Sequence, residues 1–344
     1  MGSQIFLTVL CLAMVVFHTS YAETPAIFIL GDSTADVGTN SLIPTSTIRA
    51  DFPPNGIDFP KSRPTGRFSN GFNSADFIDI LKHKSFRGIN FASGGSGILQ
   101  ITGQNNASSR NGETNVISLG DQIKQLASVK RNMMSFIGVA NTKAFLSNCL
   151  FFISTGSNDF FGYKLSGSTI PRREFISALG RIYEQHLRNL YRLGARKFGI
   201  ISVPPIGCCP SQRIHTAGGS CSEDLNQLAK AFHLRIHAIL TKFSSQYPDM
   251  KFSHGNAFKM TANIIENPRP FGFKDVKTAC CGKGKLNAES FCIPGSSVCH
   301  NRHDHLFWDL FHPTEAASKL AAFTLFNGGP EFMTPLNFKQ LAQA

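Results

Sequence analysis

The chain has 344 residues, 42% hydrophobic and 16% charged, which is enough apolar material to bury a large core and excludes a disordered polymer. The formal net charge of +12 comes from scattered basic residues; runs such as Arg172-Arg173 and Arg196-Lys197 stop at two, and no nucleic-acid-binding module is visible. Weak attraction to an anionic polysaccharide or surface accounts for that charge better, beside the plainer reading of a charge that only keeps the chain in solution.

At the N-terminus an apolar run from Ile5 to Phe17 precedes Ser20-Tyr21-Ala22, which offers small residues at the two positions a signal peptidase reads. This predicts a signal peptide over residues 1–22, cleaved after Ala22, and a secreted, extracellular product, although no Lys or Arg precedes the run. The run is too short to span a bilayer and no later stretch is longer, so no transmembrane segment is expected. No linker interrupts residues 23–344, which read as a single domain.

Beyond the leader, short apolar runs bounded by turn residues alternate with helical periodicity, the pattern of a parallel sheet covered by helices. Strands are predicted at Ala26–Leu30, Gly88–Ala92, Leu150–Ser154, Lys197–Val203 and Met250–Ser253, and helices at Arg172–Leu193, Ser222–Ser245 and Pro313–Phe326. In the second helix Ser222 is the expected cap, Glu223 and Asp224 suit the positive N-terminus, and Leu225, Leu228, Ala229, Phe232, Ile236, Ile239, Leu240 and Phe243 form one apolar stripe. Between the second and third strands, Asn106-Ala107-Ser108 is an N-glycosylation sequon at Asn106, in a polar stretch that reads as a surface loop.

Once Cys11 leaves with the leader, eight cysteines remain, and an oxidising compartment would pair most of them. Cys208 with Cys221 forms a plausible local loop; Cys280 and Cys281 pair with Cys292 and Cys299 in an order the sequence leaves open. Cys149 opens an apolar strand and fits a buried thiol as well as a bond. Zinc is the rival reading, with His300, His303 and His305 beside Cys299, but adjacent Cys-Cys pairs lack the chelating spacing, so no metal is expected.

Polar clusters fall after three of the strands: Gly31-Asp32-Ser33, Ser93-Gly94-Gly95-Ser96-Gly97 and Gly156-Ser157-Asn158-Asp159. In an open parallel sheet these ends meet at a ligand cleft. Far downstream, Asp309 and His312 lie three residues apart in Phe307-Trp308-Asp309-Leu310-Phe311-His312-Pro313-Thr314. A hydroxyl is a poor nucleophile unless an imidazole takes its proton, and the imidazole works best with a carboxylate to orient it; Ser33, His312 and Asp309 fill those roles. The backbone N–H groups of Ser33 and Gly95 and the side-chain amide of Asn158 would supply an oxyanion hole. Taken one by one, each has a blander reading. Ser33 caps a helix, Asn158 makes a local turn, Asp309 caps the helix after Pro313, and His312 is a core histidine. The glycine cluster lacks the spacing of a dinucleotide or phosphate loop.

Together with Arg63-Pro64-Thr65-Gly66-Arg67-Phe68-Ser69-Asn70-Gly71, Gly88-Ile89-Asn90-Phe91-Ala92-Ser93-Gly94-Gly95, Leu193-Gly194-Ala195-Arg196-Lys197, Val203-Pro204-Pro205-Ile206-Gly207-Cys208 and Ala279-Cys280-Cys281-Gly282, these blocks make the chain resemble the GDSL esterase/lipases of the SGNH-hydrolase superfamily, in particular their plant secreted branch. The resemblance covers essentially the whole mature chain. It implies a flavodoxin-like three-layer α/β/α sandwich with a mainly parallel five-stranded sheet. It also implies an ester substrate, an acyl lipid or an acylated small molecule or wall component, with no metal or organic cofactor. Ser33 becomes the nucleophile, Gly95 and Asn158 its oxyanion partners, His312 the base and Asp309 its orienter. Two departures stand out. Thr34 replaces the usual Leu of the motif, a change expected to adjust packing more than chemistry. Members of that family usually carry a longer Pro- and Leu-rich connection where only Lys82 to Gly88 remains here, a departure that bears on one wall of the substrate cleft. Hydrolysis through an acyl-enzyme on Ser33 is the leading expectation. Acyl transfer by the same serine and a catalytically silent binding protein are the alternatives.

Overall fold

A computed structural model describes residues 24–82, 88–104 and 115–344. The expected signal peptide, the sequon at Asn106 and the interior of the short Lys82 to Gly88 connection lie outside the described residues.

Five parallel strands build the sheet: β1 (Ile27–Gly31), β2 (Gly88–Asn90), β3 (Leu150–Ser154), β4 (Lys197–Ile201) and β5 (Lys251–Gly255). All five were expected. A sixth, β6 (Met333–Pro335), adds antiparallel to β5 in the order β6-β5-β4-β3-β1-β2. With three residues and a proline it has no strand signature of its own, and proline is tolerated there because the strand is an edge. β2 stops at Asn90, short of the expected Ala92. The Asn90 side chain turns back on the chain, donating to the Ala35 carbonyl (2.8 Å) and accepting from the Ala92 N–H (2.9 Å).

β1 is buried along its whole length, as a strand covered on both faces must be. Alternate residues go to opposite sides. Phe28, Leu30, Phe151, Ile153, Phe198 and Ile200 meet α2 (Leu119–Ile137), α5 (Arg172–Leu193) and α6 (Glu223–Gln246). Ile27, Ile29, Leu150 and Phe152 meet α1 (Ser74–Lys82), α8 (Glu315–Asn327) and the C-terminal helix Phe338–Gln343. The result is the expected three-layer α/β/α arrangement, and the order β2-β1-β3-β4-β5 is the flavodoxin-like one. The α6 stripe is core: its eight expected residues are all buried, each contributing about 1–3 kcal/mol. Ser222 holds the cap position of α6 without a side-chain cap bond. Its hydroxyl instead receives the Lys164 ammonium (3.2 Å).

The order reverses between β1 and β3, the place where such sheets bind ligands. Gly31 pairs with Ser154, and Ser154 with Ile201, so three strands end level there. The short helices α3 (Val139–Asn148), α4 (Ser157–Leu165) and α7 (Ala257–Glu266) complete the layers.

Disulfides join Cys208 to Cys221, Cys280 to Cys299 and Cys281 to Cys292, so the last two are nested. Cys149 and Cys209 remain buried thiols. The zinc reading fails here: Cys280, Cys299 and His305 approach one another, but both sulfurs are committed to the disulfide and offer no thiolate. Among the described residues no helix is long and apolar enough to cross a membrane.

Candidate active site

β1 delivers its C-terminal end into a tight turn. The Gly31 N–H donates to Gln122 Oε1 (2.8 Å), and the Gly31 carbonyl accepts from Gln122 Nε2 (2.9 Å) and Ser96 Oγ (3.0 Å). Only glycine fits, because a Cβ at this position would lie 2.3 Å from the Ser154 carbonyl oxygen. Asp32 N–H then bonds the Ser154 carbonyl (3.0 Å), and the Asp32 carbonyl accepts from the Ala35 and Asp36 N–H groups (3.1 and 3.0 Å). Ser33 sits at the tip.

Its hydroxyl meets an imidazole that arrives from the other end of the chain. Ser33 Oγ lies 2.8 Å from His312 Nε2, and His312 Nδ1 lies 2.8 Å from both carboxylate oxygens of Asp309. Asp309 Oδ1 also accepts from the Phe311 and His312 N–H groups, each at 2.9 Å, and so shapes the turn that aims the ring. The Trp308 N–H donates to the His312 carbonyl (2.7 Å), the indole N–H donates to Asn55 Oδ1 (2.9 Å), and the Phe68 ring packs 5.0 Å from the imidazole. His312 is therefore not an ordinary core histidine. Nor does Asp309 cap the following helix: α8 begins at Glu315, two residues later than expected, and Thr314 caps it by accepting from the Ala317 N–H (3.2 Å).

Gly95 and Asn158 face the same cavity as Ser33. Gly95 has φ +81, a left-handed conformation that favours glycine, and a Cβ there would meet the Cδ1 tip of Ile48 at 2.5 Å. Asn158 Nδ2 gives one hydrogen to the Ser96 carbonyl (2.8 Å), which fixes the amide and leaves its second N–H. Among the described residues no acceptor takes the backbone N–H of Ser33 or Gly95. All five residues singled out from the sequence thus converge on one cleft.

Three buried carboxylates around this cleft were missed. Asp36 accepts from the N–H groups of Gly38, Thr39 and Gly94. Asp159 accepts from Ile98 N–H, Leu99 N–H and the Thr102 hydroxyl. Burial raises the pKa of both above the usual carboxylate value, against the pull of those donors. Burial likewise pushes Asp32 up to about 6, opposed by the N–H and hydroxyl of Thr34. The Thr34 hydroxyl bonds Asp32 Oδ1 (2.8 Å) and lies 3.0 Å from Ser154 Oγ, polar contacts that the usual Leu could not make. An Asp next to Asn158, and another three residues past Ser33, were the available signals.

The cleft opens into a cavity of about 1230 Å³ whose walls are largely apolar, among them Ile201, Val203, Met260, Ile264, Phe307 and Leu320. This space is large enough for a drug-sized molecule or a chain of methylenes.

The family described as GDSL-like Lipase/Acylhydrolase matches residues 27–323. The GDSL esterase/lipase At4g28780 of Arabidopsis thaliana is 35% identical over 338 residues, 92% of this chain and 90% of that protein. A second protein from the same plant, GDSL esterase/lipase At4g16230, is 32% identical over 372 residues, 99% of this chain and 98% of its own length. With its five parallel strands and all five cleft residues inside the family match, and with relatives that cover more than nine-tenths of it, the chain is a carboxylic ester hydrolase of the GDSL lipase/acylhydrolase family.

Proposed function

We propose that the chain is a secreted serine esterase/lipase that cleaves acyl lipids or related esters through an acyl-enzyme on Ser33. The observation that carries this reading is the unbroken line from Ser33 Oγ to His312 Nε2 and from His312 Nδ1 to Asp309, with contacts of 2.8 Å throughout. With Nδ1–H given to Asp309, Nε2 presents its lone pair to the hydroxyl. As Ser33 Oγ bonds to the ester carbonyl carbon, Nε2 takes the hydroxyl proton, and the carbonyl becomes an oxyanion. The N–H groups of Ser33 and Gly95 and the amide of Asn158 receive that charge. Collapse breaks the bond to the alcohol oxygen, which leaves with the proton from Nε2. Water then repeats the sequence, giving up a proton to His312, releasing the acid and restoring Ser33.

The apolar walls of the cavity favour an acyl group over a polar one, each buried methylene contributing about 0.8 kcal/mol. Three disulfides suit an extracellular protein, in line with a leader over residues 1–22 cleaved after Ala22, a single domain over 23–344 and a glycan at Asn106. The charge of +12 suits weak attachment to anionic polysaccharide. Turnover of short-chain nitrophenyl esters is the test. The unaltered chain turns them over and its serine labels with a fluorophosphonate; Ser33→Ala does neither, and near-normal turnover by that variant would end the proposal.

A further inference from the structure

Three large apolar side chains stand in water at the edge of the cavity that holds Ser33. Leu165, the last residue of α4, is 90% exposed, Phe291 is 67% exposed and Ile293 is 43% exposed. Single exposed apolar residues are ordinary on a protein surface, but these three come from two distant segments and share one mouth.

The two from the second segment are held there. Phe291 and Ile293 flank Cys292, whose sulfur is bonded to Cys281. Ser296 Oγ accepts from the Ile293 N–H (3.0 Å) and donates to the Phe291 carbonyl (3.3 Å), closing the tip of the loop. A loop that merely failed to bury its apolar residues would not need this staple.

The charge at the mouth is one-sided. The carboxylates in the cavity wall are Asp32 and Asp309, both buried. Of the basic groups there, Arg49 is paired with Asp51, whereas Lys164, next to Leu165, donates among the described residues only to the neutral Gln212 and Ser222 side chains (3.1 and 3.2 Å). The chain as a whole carries +12. A second copy of this chain would bring like charges together, and a soluble polysaccharide has no place for three apolar side chains. An anionic lipid surface satisfies both features: the apolar groups enter the boundary between headgroups and acyl chains, and Lys164, with the net positive charge of the chain behind it, meets the headgroup charge.

We infer that Leu165, Phe291 and Ile293 form a docking rim that seats the mouth of the cavity on an anionic lipid surface, so that the ester is drawn from that surface directly into the cleft. The use of the rim rests on the esterase reading, but docking itself requires no chemistry at Ser33, which lets the two be tested apart.

The docking experiment uses full-length Ser33→Ala protein sedimented with vesicles of phosphatidylcholine, with or without phosphatidylglycerol. Binding is expected to the anionic vesicles and to weaken as salt is added. Adding Leu165→Glu and Phe291→Glu is expected to weaken it by about tenfold or more, since each side chain loses its transfer into the apolar boundary. With Ser33 intact, the same pair of substitutions lowers turnover of an ester embedded in vesicles while turnover of a short water-soluble ester stays close to that of the unaltered chain. Leu165→Asn alone, at a site almost wholly in water, repeats the loss in smaller degree without endangering the fold. The inference is overturned if the Ser33→Ala chain ignores anionic vesicles, if the double substitution leaves binding intact, or if the unaltered chain is a dimer that the substitutions dissolve. Vesicle binding without hydrolysis by the unaltered chain would instead sink the esterase reading and leave the rim standing.

Discussion

Among the described residues, the buried carboxylates around β1 are met by donors, whereas between α6 and β5 a group of buried ring nitrogens meets none. Asp32, Asp36 and Asp159 accept among them eight hydrogen bonds from backbone N–H groups and hydroxyls that tie together the turns carrying Ser33, Gly95 and Asn158. His254, wholly buried on β5, has neither ring nitrogen bonded, and its ring stacks 4.4 Å from His233 and 5.7 Å from His237 of α6. His233 Nδ1 and Arg235 Nε on the same helix are also buried without a partner. A satisfied polar network pins a site to one geometry, while unmet polar groups cost stability and place a weak point. The carboxylates of the first kind brace the turns that carry Ser33, Gly95 and Asn158, whereas the unmet ring nitrogens gather between α6 and β5.

The sharpest way to separate the two regions is through turnover. Asp309→Asn keeps the turn but withdraws the charge that orients His312, and turnover of a nitrophenyl ester is expected to fall by up to about four decades with little change in thermal unfolding. A loss of less than tenfold would mean that the carboxylate shapes the loop and nothing more.

A smaller effect, on stability, should follow from Asp159→Ala, which strips the acceptor from Ile98 N–H, Leu99 N–H and the Thr102 hydroxyl. Each stranded donor costs about 1–3 kcal/mol, so denaturant unfolding should shift by about 3 kcal/mol or more, and turnover should fall with it as Gly95 and Asn158 lose their support. Unchanged stability would show that water replaces the carboxylate and that the network does not hold the site.

The smallest effect belongs to the histidines and depends on pH. Burial, reinforced by His233 and His237, holds the His254 pKa well below 6.5 in the folded chain, while the unfolded chain protonates near that value. The unfolded state therefore binds the extra proton, and stability is lost as pH falls below about 6.5, at about 1.4 kcal/mol per pH unit for one such group. The carboxylates run the other way: Asp32 is raised from 3.8 to about 6, so what it contributes is present below 3.8 and is lost as pH rises through about 6. Comparing His254→Leu with the unaltered chain isolates the histidine. The stability gap between them should open in the variant's favour as the solution is acidified, and a gap that stays constant with pH would refute it.

Much of the cleft was legible because its parts are local. Gly31-Asp32-Ser33, Gly94-Gly95 and Asn158 each follow a strand, and the three-residue step from Asp309 to His312 lets one carboxylate bond both the ring and its backbone. The supporting carboxylates were not legible, since Asp36 and Asp159 reach donors 58 and 61 residues away that no local pattern links to them. The polar partner of Thr34 was hidden for a related reason: its hydroxyl meets Ser154 across the sheet, 120 residues on.

Short apolar runs closed by turns, clearest in β1, β3 and β4, marked those strands as a buried parallel core, because a strand covered on both faces is apolar along most of its length and ends where polar residues begin. Their order, the added edge strand Met333–Pro335, the nesting of Cys281–Cys292 inside Cys280–Cys299, and the meeting of Ser33 with His312 across 279 residues were decided only by tertiary packing. Periodicity records which face a residue buries, while partners far apart in the chain are chosen by the space left when those faces close on one another.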